Sequence, residues 1–274
     1  MRLAIAIAGK NALPSAFVVY RGFEETIPRA AELGYDGVEL ALKNAAEIRP
    51  AALDALLKDN GLEVSCISTG QVFAETGYMF TDPDPHRRRT LKSIFTDFID
   101  LAASYGKLVN VGRVRGRIGD DGAQKSEGRF VEMICELCDY ADKRDVTLIL
   151  EPVNRYEINF INSVAEGAEL LRRVGHPRLK LMPDVFHMNI EDVTIGGELA
   201  RHIADVAYIH FADSNRRAPG WGHTNFAEIF DHLQRAGYRG WCSVEIFPIP
   251  DPDAAASQAA AFLLPFIKAS RAGA

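Results

Sequence analysis

The chain has little that would tie it to a membrane, an oxidising compartment or a nucleic acid. Its apolar stretch near the start, 3–8, falls far short of the roughly 20 residues a spanning helix needs and of a secretory core, and no later stretch could span a bilayer. Only four of the 274 residues are cysteine, none at framework spacing, so disulfides are not expected and a cytoplasmic setting is. Basic residues do not outnumber acidic ones: 31 Lys and Arg stand against 37 Asp and Glu, and the net charge of −6 offers no overall field for a phosphate polymer or an anionic surface. A small-molecule substrate is expected, with no nucleic acid and no membrane. A Gly-rich phosphate fingerprint is missing too, because Ala8-Gly9-Lys10-Asn11 after the first apolar run has the wrong spacing for either a dinucleotide fold or a P-loop. No linker, low-complexity tract or charge boundary divides the chain, so 1–274 reads as one domain.

Cys135 and Cys138 form a C-x-x-C, a spacing used by redox turns and zinc sites. Phe130, Ile134, Leu137, Cys138 and Ala141 fall at helical spacing around it, which predicts one face of an amphipathic helix instead.

What the sequence does have is a repeating alternation. Short runs rich in β-branched and aliphatic residues recur at 3–8, 37–40, 64–69, 108–111, 147–151, 179–184, 206–211 and 242–247, and segments of helical period separate them. Ile94, Phe98, Leu101 and Ala102 form one such apolar stripe, and Phe226, Ile229, Phe230 and Leu233 another. Asp82-Pro83-Asp84-Pro85 reads as a loop ending in the cap of a long helix. Nearly continuous apolar strands such as Leu148-Ile149-Leu150 suit a parallel sheet buried on both faces. Eight strand–helix units predict an α/β fold closed as a (β/α)8 TIM barrel.

In such a barrel, catalytic groups gather where the strands end, at the mouth formed by the following loops. That rule selects Glu151, Asp184, His210 and Glu245 at the ends of strands five to eight. Successive separations of 33, 26 and 35 residues each approximate one repeat, which sets equivalent strand ends side by side. Any one of them alone could be a rim salt bridge or a structural histidine. Together, three carboxylates crowded into a low-dielectric mouth would repel one another unless a cation neutralised them. The oxygen-rich donor set suits one divalent ion per chain, Mn²⁺, Mg²⁺ or Co²⁺ ahead of Zn²⁺.

With those residues placed, the chain resembles the xylose-isomerase-like TIM barrel superfamily, and within it the ketose 3-epimerase branch. The resemblance runs over most of the sequence and is carried by Gly34-Tyr35-Asp36-Gly37-Val38-Glu39-Leu40, Glu151-Pro152-Val153-Asn154-Arg155-Tyr156-Glu157, Asp184-Val185-Phe186-His187-Met188-Asn189, His210-Phe211-Ala212-Asp213-Ser214-Asn215-Arg216 and Val244-Glu245. Ser68-Thr69-Gly70-Gln71, Val111-Gly112-Arg113-Val114-Arg115-Gly116-Arg117 and Ala218-Pro219-Gly220-Trp221-Gly222-His223 resemble a narrower group that includes 5-keto-L-gluconate epimerases. The resemblance implies a metal on Glu151, Asp184, His210 and Glu245, substrate contacts from Glu157, His187 and Arg216, and a homo-oligomer, dimer or tetramer.

Inverting a carbon beside a ketone needs a proton removed from one face and one returned to the other, and Glu151 and Glu245 stand far enough apart around the ring to flank a sugar or sugar-acid substrate. Arg113, Arg115 and Arg117 follow strand four and offer guanidinium groups to an acidic keto-sugar, or else are solvated loop residues. Glu39 reads as a rim or core-network carboxylate and His223 as part of a structured loop, so neither is assigned. Aldose–ketose isomerisation of the hydroxypyruvate or xylose type remains open, since it uses the same residue types. An apurinic endonuclease finds echoes in Asp184-x-x-His187 and His210-x-x-Asp213, but no histidine precedes His86 to complete a multi-zinc set. A non-catalytic sugar-binding protein would not demand both Glu151 and Glu245.

Overall fold

The computed structural model of the chain describes residues 1–272. Eight parallel strands form the frame: β1 (Arg2–Ala8), β3 (Gly37–Ala41), β4 (Glu63–Ser68), β5 (Leu108–Val111), β6 (Thr147–Leu150), β7 (Leu179–Leu181), β8 (Tyr208–Phe211) and β9 (Trp241–Val244). A two-residue strand β2 (Tyr20–Arg21) pairs with the end of β1. The order β7-β6-β5-β4-β3-β1-β9-β8 follows the chain around a ring. The ring closes between β7 and β8 through the parallel bridges Leu181 to Val206 and Asp184 to His210, with Ala207 N–H donating to Leu181 O at 3.0 Å and His210 N–H to Pro183 O at 2.9 Å. The expected TIM barrel is therefore what the chain forms.

Side-chain alternation explains the two layers. In β1, Leu3, Ile5 and Ile7 join the main apolar core with the helices, while Ala6 and Ala8 pack on Val18 and Ala41 in a separate cluster. Cys66, Ile149 and Tyr208, from three strands spread around the ring, and Met182 just past β7 touch one another. They can meet only inside the barrel, where inward residues stack in layers and plug it.

Among the described residues ten helices wrap the strands: α1 (Phe23–Glu32), α2 (Pro50–Asn60), α3 (Gly70–Thr76), α4 (Pro85–Ala102), α5 (Ala123–Asp142), α6 (Val164–Val174), α7 (Val185–Glu191), α8 (Ile195–Arg201), α9 (Phe226–Arg235) and α10 (Pro252–Ala272). Asp84 caps α4 as expected, accepting from His86 N–H at 2.8 Å, with Pro85 in the first turn. Cys135 and Cys138 lie on α5, Cys138 fully buried, and the four cysteines are free thiols. The short α3 and the split of the sixth unit's helix into α7 and α8 depart from a plain eightfold alternation. Among the described residues no helix is long and apolar enough to cross a membrane.

Candidate metal centre and active site

Each of the four expected ligands arrives from a strand end. Glu151 follows β6, Glu245 follows β9, His210 lies within β8, and Asp184 is the N-cap of α7. One donor atom from each lies within 4.8 Å of all the others, close enough for one ion to reach every one. His210 Nδ1 stands 3.7 Å from Glu151 Oε1 and 3.7 Å from Glu245 Oε2. Helix capping explains the aim of Asp184: Oδ1 accepts Phe186 N–H at 2.8 Å, so Oδ2 is left facing the cluster.

The fit of a cation can be tested on atoms left without partners. Asp184 Oδ2 and His210 Nδ1 are both fully buried and accept or donate no hydrogen bond among the described residues. A buried polar atom in that condition costs about 1–3 kcal/mol. A divalent ion held by Glu151, Asp184, His210 and Glu245 would satisfy both atoms and neutralise the acids, and the donor set fits one.

The proton chemistry of the residues agrees. Burial, reinforced by Glu151 and Asp184, pushes the Glu245 carboxyl up to about 8. Asp184 rises to about 6, again chiefly from burial. Glu151 goes the other way despite its burial, down to about 2, because His210, His187 and the Asn110 amide all favour its charge. Without a cation the cluster thus holds protons where a metal would sit.

Glu39, left unassigned by sequence, is the buried support of this centre. Its Oε2 lies 2.9 Å from His210 Nε2 and accepts from Tyr208 O–H at 3.1 Å, and Tyr208 O–H is in turn 2.7 Å from Ser65 Oγ. A carboxylate there places the imidazole proton on Nε2 and leaves the Nδ1 lone pair for the cluster. The sequence signal is Glu39 between Val38 and Leu40: period-two alternation turns those two outward and Glu39 into the barrel. Glu151 has a comparable support. Asn110 Nδ2 donates to its Oε2 at 3.1 Å, and Thr69 Oγ1 holds the Asn110 carbonyl at 2.9 Å. Gly112 must be glycine here, since a Cβ would lie 2.8 Å from Glu151 Oε2.

The four residues expected to touch substrate surround this cluster. His187 is buried. Asn154 Oδ1 accepts Tyr156 N–H at 3.0 Å, which turns its amide nitrogen to His187 Nδ1 at 2.7 Å, so the His187 proton sits on Nε2. Nε2 stands 3.8 Å from Asp184 and 3.9 Å from Glu151. Burial and then Arg216 hold this imidazole down to about 3, a neutral donor at any working pH. Arg216 donates to Glu157 Oε1 at 2.8 Å and Glu245 Oε2 at 3.4 Å, its guanidinium 3.7 Å from the Phe17 ring centre and 4.8 Å from that of Phe186. Arg113 approaches Glu157 Oε2 only to 3.9 Å and lies over Phe17 and Phe73.

The other two loop arginines do not join them. Arg115 is fully buried and spends its guanidinium on the carbonyls of Phe160, Glu151 and Ile161 at 2.8–2.9 Å, so it anchors the backbone and offers no fork to a ligand. Arg117 is solvent-exposed. Asp213 does not join the metal cluster either; its carboxylate accepts backbone N–H groups, so the endonuclease-like reading of His210-x-x-Asp213 fails at that residue. A cavity of about 480 Å³ lies away from this chemistry, between Ile118, Phe160, Glu166 and Arg173. A cavity of about 30 Å³ does reach it, lined by Leu13, Phe17, Ser68, Gln71, Arg113 and Glu245. We take the smaller one as part of the site, because Glu245 of the four-residue cluster lines it.

A family model described as xylose isomerase-like TIM barrel matches residues 27–266. The chain belongs to the xylose isomerase-like TIM barrel family. Within reach of that family, the D-psicose 3-epimerase of Ruminiclostridium cellulolyticum is 30% identical over 230 residues, 81% of this chain and 77% of that protein. The L-ribulose 3-epimerase of Methylomonas sp. (strain DH-1) is 30% identical over 236 residues, 84% of this chain and 81% of that protein. The solved structure of the 3-keto-D-glucoside 4-epimerase of E. coli superposes with a TM-score of 0.81, covering 97% of this chain and 99% of that one at 22% identity, which is a likeness of fold.

Proposed function

We propose that this chain, an enzyme of the isomerase class, is a metal-dependent sugar epimerase that inverts a carbon beside a ketone, with Glu151 and Glu245 as the proton-transferring pair. The observation that carries the reading is the convergence of those two carboxylates on one imidazole nitrogen, each at 3.7 Å, inside a four-ligand cluster. The family relatives named as 3-epimerases support it.

Glu151, Asp184, His210 and Glu245 would hold the ion, Mn²⁺, Mg²⁺ or Co²⁺ ahead of Zn²⁺, and when bound it supplies Lewis-acid stabilisation of negative charge on the substrate's carbonyl oxygen, worth several kcal/mol. Glu151 and Glu245 take and return the proton on the two sides of the reacting carbon, a contribution of about 10²–10⁴ in rate. His187 donates a hydrogen bond from its Nε2–H to a substrate oxygen and stays neutral throughout. Arg216 and Glu157, already paired at 2.8 Å, present a donor and an acceptor to neighbouring hydroxyls. Arg113 selects the substrate class: none of its N–H groups has a hydrogen-bond partner among the described residues, and it lines the cavity beside Glu245. An unspent guanidinium there favours an acidic keto-sugar, 5-keto-L-gluconate being one.

A homo-oligomer, dimer or tetramer, finds support in Tyr156 and Val193, which are 81% and 95% exposed on loops joined through Arg155 and Glu191. The four free thiols support a cytoplasmic setting.

The deciding experiment incubates the Mn²⁺-loaded protein in D₂O with ketoses, keto-aldonates and sugar phosphates and locates deuterium by NMR. We expect incorporation next to a carbonyl with inversion, abolished in Glu151→Gln and in Glu245→Gln. Deuterium at C1 or C2 with aldose formation would assign isomerisation; binding without exchange, or cleavage of abasic DNA, would overturn the reading.

A further inference from the structure

Arg216 stands in the left-handed region, with φ at +60°, although it is not glycine. That conformation is unfavourable for an arginine and needs a surrounding structure to impose it. The loop 213–224 supplies one, and its centre is the carboxylate of Asp213, which is 1% exposed. Oδ1 accepts Ser214 N–H at 2.8 Å and Thr224 N–H at 3.0 Å, while Oδ2 accepts Gly220 N–H at 2.8 Å. Three amides from both ends of the loop thus fold onto one side chain. Gly222 is packed against the same group, for a Cβ on it would lie 2.2 Å from Asp213 Oδ1.

The backbone of Asp213 grips Arg216 directly. Asp213 O accepts Arg216 N–H at 2.8 Å, and Asp213 N–H donates to Arg217 O at 2.9 Å. On the far side, Arg216 O accepts Phe247 N–H at 2.8 Å, two residues beyond Glu245. From this turn the guanidinium reaches Glu157 and Glu245 between two aromatic rings.

We infer that Asp213 is a positioning residue for Arg216: its charge closes the loop that holds Arg216 in the one backbone state from which the guanidinium meets substrate. The inference rests on the proposed role of Arg216 as a substrate contact. An asparagine at 213 keeps one acceptor oxygen but turns an NH₂ group toward a backbone donor, so one of the two clamps must open.

The test is a double-mutant cycle on the Mn²⁺-loaded enzyme, with amide hydrogen exchange on the same proteins. Asp213→Asn in the native background should raise KM about tenfold or more, the scale of one hydrogen bond to a charged group, with a smaller fall in kcat and no change in bound Mn²⁺. In an Arg216→Ala background the same change should have little further effect on KM. A purely structural role would make the two losses multiply, and that result overturns the inference. Exchange at the amides of Arg216 and Gly220 should quicken in Asp213→Asn; unchanged exchange overturns it whatever the turnover shows. Should Asp213→Asn fail to fold, Gly222→Ala disturbs the same clamp from the other side and should give the same KM and exchange changes. Absence of turnover in the unaltered protein would sink the epimerase reading instead, leaving the exchange data to decide Asp213.

Discussion

Acidifying the protein should loosen its hold on a divalent ion steeply between pH 8 and 6. A carboxylate ligates only without its proton, so binding must displace any proton the metal-free cluster retains. Burial and the neighbouring acids lift Glu245 to about 8 and burial lifts Asp184 to about 6. One displaced proton makes apparent affinity fall tenfold per pH unit well below the pKa, so Glu245 alone, half protonated already at pH 8, predicts about 50-fold weaker binding at pH 6 than at pH 8, or about 2.3 kcal/mol. Below pH 6 Asp184 adds a second decade per unit. The sign for stability follows from the same shifts. Both carboxyls have folded pKa values above their unfolded ones, so the metal-free fold loses their contribution as pH climbs from about 4 to 8, and added metal restores it. The rise in Tm on adding Mn²⁺ should accordingly be larger at pH 8 than at pH 6. Isothermal titration at pH 6, 7 and 8, in two buffers of different ionisation enthalpy, reads both the affinity and the protons released. A Kd that stays level across this range, or binding without proton release at pH 7, would refute the assignment of these carboxylates as the ligands.

Glu39→Gln should fold but bind Mn²⁺ about 10–100-fold more weakly by titration, because Gln cannot hold the His210 proton on Nε2 as a carboxylate does. Arg113→Gln should raise KM about tenfold for an acidic keto-sugar and leave a neutral ketose little changed in parallel assays; equal losses on both would remove Arg113 from substrate selection. Gly112→Ala should cut deuterium exchange more than it cuts thermal stability, since the added Cβ meets the carboxylate oxygen of Glu151 and not the core.

The barrel was legible because its signal is repeated eight times, and each apolar run in the sequence overlies a strand within about three residues. The clustering of four side chains was legible for a related reason: a strand end is a fixed address in this fold, and Glu151, Asp184, His210 and Glu245 occupy four consecutive ones. Glu39 was not, because a carboxylate inside a strand gives no sign of its partner until β3 and β8 are placed across the barrel, 171 residues apart in sequence. Arg113, Arg115 and Arg117 look equivalent as a sequence. A short 3₁₀ turn over Arg113–Arg115 sends Arg113 toward the mouth and Arg115 inward onto three carbonyls, while Arg117 stays exposed, and tertiary geometry alone separates them.

The two glutamates are unlike in how they are held, and that difference bears on how an inversion could run. Glu151 is clamped: Asn110 fixes one oxygen at 3.1 Å, Gly112 leaves no slack behind it, and its charge is favoured down to about 2. Glu245 accepts a single hydrogen bond among the described residues, from Arg216 at 3.4 Å, with His210 Nδ1 at 3.7 Å from the same oxygen, and keeps its proton up to about 8. Unequal bases on the two faces would favour one protonation pattern and slow the return from the other. A cation held by Glu151 and Glu245 would narrow the gap, because its charge would favour loss of the proton from Glu245 while Glu151 is already bare. Asn110→Ala should therefore narrow the same gap from the other side by raising Glu151. Its Glu151 titration, followed by NMR in metal-free protein, should move upward while that of Glu245 moves little; a stationary Glu151 would show that His210 and His187, and not Asn110, set its charge.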